Sequence, residues 1–415
     1  MATVAAAAVV VSAIIFTTSG SSAAVNPLIG WAGSWSTGLI APSPLDTGGS
    51  LTGFNNESIR MIVHTSLGGN NIRLRLSNEF GTGPITIGHA TVALPANSSA
   101  GSADLVAGSV HELTFDGGSA STTMYQGADV VSDPLAWRLP ADTTLAVTIY
   151  LPTPTGPASW HPSAGEQTFV YNGDQADNVS GAGNILTRLA FYFVAGIDAQ
   201  TILPAGAIVV LGDSISNGNG ATLNANTRWP DLLSQRIEAQ SVLKEGVLNE
   251  SISGNAVTAD GVQSGFSSAT FGRSGNSRLV TDVLSQQNVR TVIVELGVND
   301  INVYGDNAAQ IIEGLTQLGL RLKEHNINAV IDTISPFGGL VGPPGWSADK
   351  ETVRLAVNTW IRSQTVFDHV IDQDKVLRDP ANPSQLLPVY NVGDGIHPND
   401  VGAQALVNSI QLGQL

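Results

Sequence analysis

The sequence of 415 residues contains no cysteine. Disulfide bonds, thiol nucleophiles and cysteine-based metal sites are therefore excluded, although this absence assigns no cellular compartment. Charge is scarce as well, because only 13% of the residues are charged, and the net charge is -16. An acidic surface repels phosphate backbones and anionic lipid headgroups. We therefore expect no nucleic-acid partner, and neutral or weakly charged substrates fit the composition better.

Long apolar runs are also rare, and the most prominent one lies at the N-terminus. It extends from Ala2 to Phe16, and small residues follow it up to Ala24. The run is shorter than a bilayer span requires, so it resembles a secretory signal peptide more than a membrane anchor, although no Lys or Arg precedes it. We expect a signal peptide over residues 1–24, a mature chain from about Val25, secretion, and no stable membrane insertion after cleavage.

The N-terminal half is rich in Gly, Ser, Thr, Pro and Asn, with short alternating runs between turn residues. In residues 71–77, for example, Arg73 and Arg75 alternate with apolar residues, which is typical of a half-buried antiparallel strand. Residues 25–200 are therefore predicted to form an all-β sandwich or jelly-roll domain. The predicted strands cover residues 58–66, 71–77, 84–94, 144–152 and 188–197.

From about Pro204 apolar runs alternate with longer amphipathic segments, which indicates an α/β domain over residues 205–415 with a parallel sheet covered on both faces. Strands are predicted at 207–212, 247–252, 291–297, 328–334 and 369–374. Helices are predicted at 229–241, 278–287, 307–325, 348–364 and 399–413. Such sheets bind ligands beyond the carboxyl ends of their strands, so polar motifs at those ends are the candidates for a site.

Three polar segments lie where predicted strands end or the last helix begins: "GDS" at 212–214, "GVND" at 297–300 and "DGIHPND" at 394–400. Asp394 precedes His397 by three residues, so one local turn brings the carboxylate to the imidazole. Pro398 disfavours helical backbone at the residue before it and suits the first position of a helix. His397 is therefore expected in the loop before the last helix.

A serine hydroxyl needs a base to take its proton, and the base needs a partner that fixes its tautomer. Ser214, His397 and Asp394 supply these three chemical types. The oxyanion that forms needs preorganised donors. The candidate donors are the backbone N–H of Ser214, the backbone N–H of Gly254 and the side-chain amide of Asn299.

These residues resemble the SGNH/GDSL hydrolase family, whose four blocks match Ser214 in "GDSIS", Gly254 in "SISGN", Asn299 in "GVND" and His397 in "DGIHP". The resemblance implies a flavodoxin-like three-layer α/β/α fold. It also implies Ser214 as nucleophile, His397 as base, Asp394 as the residue that orients it, and Gly254 and Asn299 as oxyanion donors.

Further segments resemble an extracellular, xylan-esterase-like subgroup of that family, in which a β-domain precedes the catalytic domain. They are "WAGSWSTG" at 31–38, the run at 60–93, "RWPDLLSQRI" at 228–237 and "SPFGG" at 335–339. This likeness is more specific about architecture than about substrate.

The residues around Ser214 also allow simpler interpretations. Gly, Asp and Ser all favour turns, so Ser214 alone is compatible with a simple strand end, and Asp213 is expected to hold the turn rather than to do chemistry. The run Gly218-Asn219-Gly220 is not a dinucleotide fingerprint, because Leu223 stands where its third glycine belongs.

The other histidines lack metal-ligand spacing, and most of them are expected to be structural. His161, in "SWHPSAGEQ" near the domain junction, is the least certain of these. A packed or surface loop is the favoured interpretation there, and stacking of Trp160 on a sugar ring is the alternative.

The sequence thus predicts a secreted serine esterase that acts through an acyl-enzyme without metal or organic cofactor. Its expected substrate is a small-molecule or polysaccharide ester, with short-chain (acetyl) esters of carbohydrates preferred. The alternative enzyme is a lipolytic acylhydrolase. The non-enzymatic alternative is a carbohydrate-binding surface protein whose four catalytic blocks are relics without activity.

Overall fold

The computed structural model describes residues 29–44, 46, 48–97, 101–202, 204–242, 244–261, 271–342 and 344–415. The predicted signal peptide and the expected mature N-terminus near Val25 lie outside the described residues.

Antiparallel strands make up the described part of the N-terminal half. They are β1 (Ile29–Ser36), β2 (Glu57–Thr65), β3 (Asn71–Ser77), β4 (Ile85–Ile87), β5 (His89–Ala93), β6 (His111–Glu112), β7 (Thr122–Met124), β8 (Asp129–Val131), β9 (Thr143–Leu151), β10 (Trp160–Pro162), β11 (Thr168–Asn172), β12 (Leu186–Arg188), β13 (Ala190–Tyr192) and β14 (Val194–Ile202).

Two larger sheets organise these strands, one in the order β1-β14-β3-β8 and one in the order β12-β11-β2-β9-β5-β6. Side chains from both sheets, such as Leu74 on β3 and Met61 on β2, belong to one apolar core. Burial alternates along β3, as the Arg73 and Arg75 pattern predicts. The all-β character of this half is therefore seen, whereas the jelly-roll alternative stays a prediction.

Two of the predicted strands are wrong in detail because the chain bends inside them. The run 84–94 divides at Gly88 into β4, which pairs with β7, and β5, which pairs with β6 and β9. The run 188–197 is divided among β12, β13 and β14. Phe193, between β13 and β14, has a φ of 62°, a backbone conformation that ends a strand and that residue type alone does not reveal.

In the C-terminal half strands and helices alternate, as predicted. The strands are β15 (Ala207–Gly212), β16 (Gly246–Asn249), β17 (Val289–Glu295), β18 (Asn328–Asp332) and β19 (His369–Ile371). The helices are α1 (Ser214–Asn217), α2 (Trp229–Gln240), α3 (Gly275–Arg278), α4 (Ala308–Glu324), α5 (Ala348–Ser363), α6 (Gln373–Leu377) and α7 (Asp400–Ser409).

All strand pairs in this sheet are parallel, in the order β16-β15-β17-β18-β19. This is the order 2-1-3-4-5 of flavodoxin-type sheets, so β15 occupies the position where the strand order reverses. The prediction of an α/β domain with a parallel sheet is confirmed. The switch point at β15 leads directly into Ser214.

Several predicted helices differ from the observed ones at their ends. The helix expected at 278–287 is instead α3 followed by a π-helical turn, Leu279–Leu284, and the helix expected at 399–413 ends at Ser409. A second π-helical turn, Asp300–Tyr304, and the short helices α1 and α6 had no signal in the apolar periodicity. Elements of about one turn are too short for that periodicity to detect.

The two halves share a packed junction rather than a bare linker. Thr37, just after β1, forms a parallel bridge with Asn249 at the end of β16. The Ser66 hydroxyl accepts a hydrogen bond from Val247 N–H at 2.9 Å, and the Gly33 N–H donates to the Gln287 carbonyl at 3.1 Å. The N-terminal half thus contacts the edge strand β16 and the segment before β17 through both main-chain and side-chain hydrogen bonds.

Among the described residues, none of the helices combines the length and the hydropathy that a membrane span requires.

Candidate active site

Ser214 lies two residues after the end of β15, at the first position of the one-turn helix α1. The turn between strand and helix is held by Asp213, whose carboxylate accepts a hydrogen bond from the Ile215 N–H at 2.9 Å. Gly218 ends α1 with a φ of 90°, a conformation that favours glycine. The expectation that Asp213 holds the turn therefore agrees with its position as N-cap.

The structure brings Ser214, His397 and Asp394 together although the serine and the histidine are 183 positions apart. His397 Nε2 lies 2.8 Å from Ser214 Oγ, and His397 Nδ1 lies 2.5 Å from Asp394 Oδ2. An ionised Asp394 accepts the Nδ1 proton, which leaves Nε2 free to accept the proton of the serine hydroxyl. The three side chains form a continuous hydrogen-bonded chain.

The carboxylate of Asp394 also receives the backbone N–H groups of Ile396 and His397, at 3.0 and 2.9 Å. Burial opposes the charge, but these hydrogen bonds and the one from the His397 ring outweigh it and lower the pKa of Asp394 to about 2. Asp394 is thus ionised near neutral pH.

His397 lies in the loop before the last helix, as predicted, but Pro398 is not the first helical residue. Helix α7 begins at Asp400, and the Asn399 side chain caps it by accepting the Gly402 N–H at 3.0 Å. An Asn side chain provides an acceptor for the free N–H groups of the first turn, which proline lacks. The proline restricts the backbone of His397 from two positions before the helix.

The candidate oxyanion donors lie on loops that meet around one side chain. Asn299 donates from its amide nitrogen to the Asn255 carbonyl at 2.9 Å and to Asp213 Oδ2 at 3.3 Å. Its amide therefore joins the residue after Gly254 to the residue before Ser214. Gly254 has a φ of 82°, and a Cβ there would lie 2.0 Å from the Phe271 ring, so this position requires glycine.

Arg278 is a site residue that sequence reasoning missed. Its guanidinium is 1% exposed and donates to the Gly212 carbonyl at 3.0 Å, to Asn255 Oδ1 at 3.0 Å and to Asp282 at 2.9 Å. It also donates to the Glu250 carbonyl. Arg278 thus ties the strand before Ser214 to the loop after Gly254. An arginine at the start of a predicted helix gives no sign of this role.

Acidic side chains lie buried beneath Ser214. Glu295, the last residue of β17, accepts the Ser216 hydroxyl at 2.8 Å and the Gln373 amide at 3.4 Å. Burial raises its pKa to about 7 in spite of these hydrogen bonds. Burial and the neighbouring Glu295 also raise the pKa of Asp213 well above its usual range. These groups hold α1 in place while favouring their neutral forms.

The segment with His161 is packed, as favoured from the sequence. Trp160 is buried, donates from its ring nitrogen to the Ala41 carbonyl at 2.8 Å and stacks on Tyr192, so it is not available to stack on a sugar ring. His161 is 1% exposed and contacts Gly38 and Asn217.

Within the described residues, no group of three or more His, Asp or Glu side chains is arranged to hold a metal ion.

Comparison with known proteins gives one match to a family model. Residues 210–405 match the GDSL-like Lipase/Acylhydrolase family, a span that contains Ser214, Gly254, Asn299, Asp394 and His397. The curated proteins compared with this chain include no match.

Solved structures also resemble the chain over about half of its length. A carbohydrate acetylesterase family member from Sinorhizobium meliloti is 16% identical, with a TM-score of 0.38 over 49% of this chain and 94% of its own. The psychrotrophic esterase EstA from Pseudoalteromonas sp., inhibited by monoethylphosphonate, is 20% identical, with a TM-score of 0.35 over 49% and 93%. A member of the lipolytic protein G-D-S-L family from Veillonella parvula DSM 2008 is 15% identical, with a TM-score of 0.36 over 49% and 94%.

Residues 210–405 are thus similar to the GDSL-like lipase/acylhydrolase family, and this part of the chain has an α/β fold with a parallel sheet.

Proposed function

We propose that the protein is a serine esterase that hydrolyses carboxylic esters through an acyl-enzyme. The observation that carries this proposal is the hydrogen-bonded chain from Ser214 Oγ through the His397 ring to Asp394, with distances of 2.8 and 2.5 Å. An isolated serine hydroxyl is a poor nucleophile near neutral pH, whereas this contact gives it a base whose tautomer is fixed.

In the proposed reaction, His397 Nε2 takes the proton of Ser214 as Oγ attacks the ester carbonyl. The tetrahedral oxyanion is stabilised by the backbone N–H groups of Ser214 and Gly254 and by the Asn299 amide. His397 then protonates the leaving alcohol. A water molecule, activated by the same imidazole, attacks the acyl-enzyme and releases the acid, so that Ser214 recovers its proton.

For the substrate we propose short-chain esters of carbohydrates, acetyl esters in particular. The support is the resemblance of both halves to xylan-esterase-like enzymes and the net charge of -16, which disfavours anionic substrates. We also propose that the protein is exported, because residues 2–16 form an apolar run followed by small residues. N-terminal sequencing of protein recovered from the culture medium tests export.

A lipolytic acylhydrolase is the second candidate, and exposed apolar residues near the catalytic loop favour it. Val341 is 78% exposed, and its N–H donates to the Asp394 carbonyl. Val392 is 47% exposed, and its N–H donates to the His397 carbonyl. Such residues beside the base provide apolar contacts for a longer acyl chain.

The experiment compares p-nitrophenyl acetate with p-nitrophenyl octanoate and measures acetate release from acetylated xylan. A higher kcat/KM for acetate, together with release from xylan, supports the carbohydrate esterase. The reverse preference supports the lipolytic enzyme.

Ser214→Ala is the control, and its hydrolysis should fall by several orders of magnitude in a folded protein. A reactive phosphonate should modify the wild-type protein stoichiometrically and the variant not at all. If the wild-type serine also stays unmodified and neither ester is cleaved, the binding protein with relic blocks is the correct interpretation.

A further inference from the structure

We propose that the N-terminal β half supplies a positioning residue to the catalytic centre: His161, through Asn217, holds both the nucleophile helix α1 and the loop that carries Gly254. This inference rests on the proposed esterase function and adds a role for the β half, which the sequence leaves open. It concerns a residue that touches no reacting atom.

The contact crosses the junction between the two halves. His161, on β10, lies with Nδ1 2.7 Å from the Gly38 carbonyl and with Nε2 3.0 Å from the side-chain amide of Asn217. Asn217 is the last residue of α1, whose first residue is Ser214. The histidine therefore reaches from a β-strand of one half to the helix that presents the serine in the other.

The same Asn217 amide also reaches the oxyanion loop. The Asn217 side-chain amide has two polar atoms, and the one that does not face His161 lies 2.9 Å from the hydroxyl oxygen of Ser253, the residue before Gly254. Ser253 Oγ in turn lies 3.0 Å from the Asn219 side chain, just past the end of α1. One buried amide thus joins three segments: the β half, the nucleophile helix and the loop with a candidate oxyanion donor.

The direction of these hydrogen bonds follows from the charge of the ring. Burial lowers the pKa of His161 to about 4, so the ring is neutral near neutral pH. A neutral imidazole donates from one nitrogen and accepts at the other. Because Gly38 offers only a carbonyl, Nδ1 donates to it, and Nε2 must accept from Asn217.

The Asn217 amide therefore turns its NH2 group toward His161 and its oxygen toward the Ser253 hydroxyl. Amide nitrogen and oxygen exchange places without moving a heavy atom, so the distances above are unchanged. The contact to the Ser163 carbonyl, the longest one at 3.5 Å, is given up. The single hydrogen of the Ser253 hydroxyl then goes to the Asn217 oxygen, so the Asn219 amide also exchanges its ends and donates from its NH2 group to Ser253 Oγ at 3.0 Å. Each buried polar atom along the path from Gly38 to Ser253 then has a compatible partner.

This anchor matters because α1 has a single turn and little rigidity of its own. Its other anchors, Ser216 to Glu295 and the Ser216 carbonyl to Asn249, hold the middle of the turn. His161 holds its end. Loss of this contact is expected to let Ser214 and Gly254 move relative to each other, and displacements of about 1 Å remote from the chemistry cost up to about 100-fold in rate.

The test measures kcat and KM separately for His161→Phe, Asn217→Ala and the double variant, with p-nitrophenyl acetate as substrate. We expect each single variant to lose about 10- to 100-fold in kcat with KM unchanged, and the double variant to lose no more than the worse single one. His161→Gln, which retains a donor and an acceptor, should recover part of the loss. The pH profile should keep its shape, because His161 transfers no proton.

Arg60→Met is the matched control for stability. Arg60 is fully buried in the β half and bonds there to Thr148 and to the carbonyls of Ala103, Gln175 and Asn178. This variant should lower the midpoint of thermal unfolding while the folded fraction keeps its kcat.

The inference is overturned if folded His161→Phe keeps the wild-type kcat, or if the effects of the two single substitutions on kcat multiply. If His161→Phe does not fold, Asn217→Ala, which leaves the β strands intact, decides the question by the same measurement. Failure of the esterase proposal itself looks different, because Ser214→Ala would then be as active as the wild-type protein.

Discussion

Asn299 is the residue whose proposed role demands a change of partners. Its amide nitrogen donates to the Asn255 carbonyl at 2.9 Å and to Asp213 at 3.3 Å. Stabilising an oxyanion requires that one of these hydrogen atoms turn to the substrate. The longer contact, with Asp213, is the weaker and the easier one to give up.

Replacement of Asn299 by Ala is therefore expected to lower kcat by about 10²–10³-fold, because one oxyanion donor is lost. The control is Asn302→Ala, on the π-helical turn that follows Asn299, where the side chain contacts Lys350 at 3.0 Å. Steady-state hydrolysis of p-nitrophenyl acetate measures both. Equal turnover in the two variants would remove Asn299 from the proposed oxyanion site.

Arg278 acts on stability, since removing it leaves the buried Asp282 without its cation and takes a donor from the Gly212 carbonyl, the Glu250 carbonyl and Asn255 Oδ1. Arg278→Met is expected to lower the free energy of unfolding by about 3–5 kcal/mol, the usual cost of breaking a buried ion pair from one side. Urea unfolding measures the loss.

Arg362→Met provides the comparison for Arg278. Arg362 also binds two carboxylates, but its side chain is 34% exposed and Asp374 keeps its contact with the buried Arg354. A smaller loss of stability is therefore expected. Equal losses of unfolding free energy in the two variants would show that the buried hydrogen bonds of Arg278 stabilise the protein no more than the exposed ion pairs of Arg362.

At the level of elements, strand β17 ends in Glu295, a carboxyl group that the fold keeps protonated to a higher pH than usual. Glu295 is 4% exposed, and burial raises its pKa from an ordinary value of 4.5 to about 7. Because the folded-state pKa is raised, the stabilisation is complete below about pH 4.5 and is lost as the pH rises through about 7. The folded state binds the proton more tightly than the unfolded chain.

Glu295→Gln should remove this part of the pH dependence, because an amide of the same shape does not ionise. We expect the free energy of unfolding of the wild-type protein to fall more steeply than that of the variant between about pH 4.5 and 7. Urea unfolding at several pH values gives the comparison. Parallel curves for the two proteins would show that the pKa of Glu295 is the same in the folded and the unfolded protein.

At the level of the whole molecule, the two halves meet so closely at Gly246 that no side chain fits there. A Cβ on Gly246, at the start of β16, would lie 2.0 Å from the carbonyl oxygen of Gly33 on β1. Backbone atoms cannot rotate away as side chains can, so the strands would have to separate. The junction is part of the fold of both halves.

Gly246→Ala is expected to destabilise the protein by about 1–3 kcal/mol through overpacking at this junction. Gly83→Ala, where no atom lies within 4 Å of the added Cβ, should be neutral. Calorimetry should show one unfolding transition for the wild-type chain and a lower midpoint for the Gly246 variant. If the wild-type chain shows two transitions and Gly246→Ala shifts only one of them, the halves unfold independently.

The sequence was most informative where chemistry and periodicity coincide. Strand β15 and the turn at Ser214 are predictable because an apolar run ends in Gly-Asp-Ser, and ligands bind beyond the carboxyl ends of parallel strands. Arg278 and His161 were not predictable as site residues. Their partners are backbone carbonyls and amides from distant segments, which carry no residue-specific pattern.

By itself the sequence indicated the change from alternating strands to strand–helix repeats and the grouping of Ser214 with Asp394 and His397. Local periodicity suffices for the first, whereas the second follows from the chemistry that a serine nucleophile requires and from the resemblance of the four blocks to the SGNH/GDSL family. Only the tertiary structure decided which buried groups hold that grouping in place. Hydrogen bonds such as those of Arg278 to Gly212 and of His161 to Asn217 depend on distances between segments far apart in the chain, and these exist only once those segments have packed together.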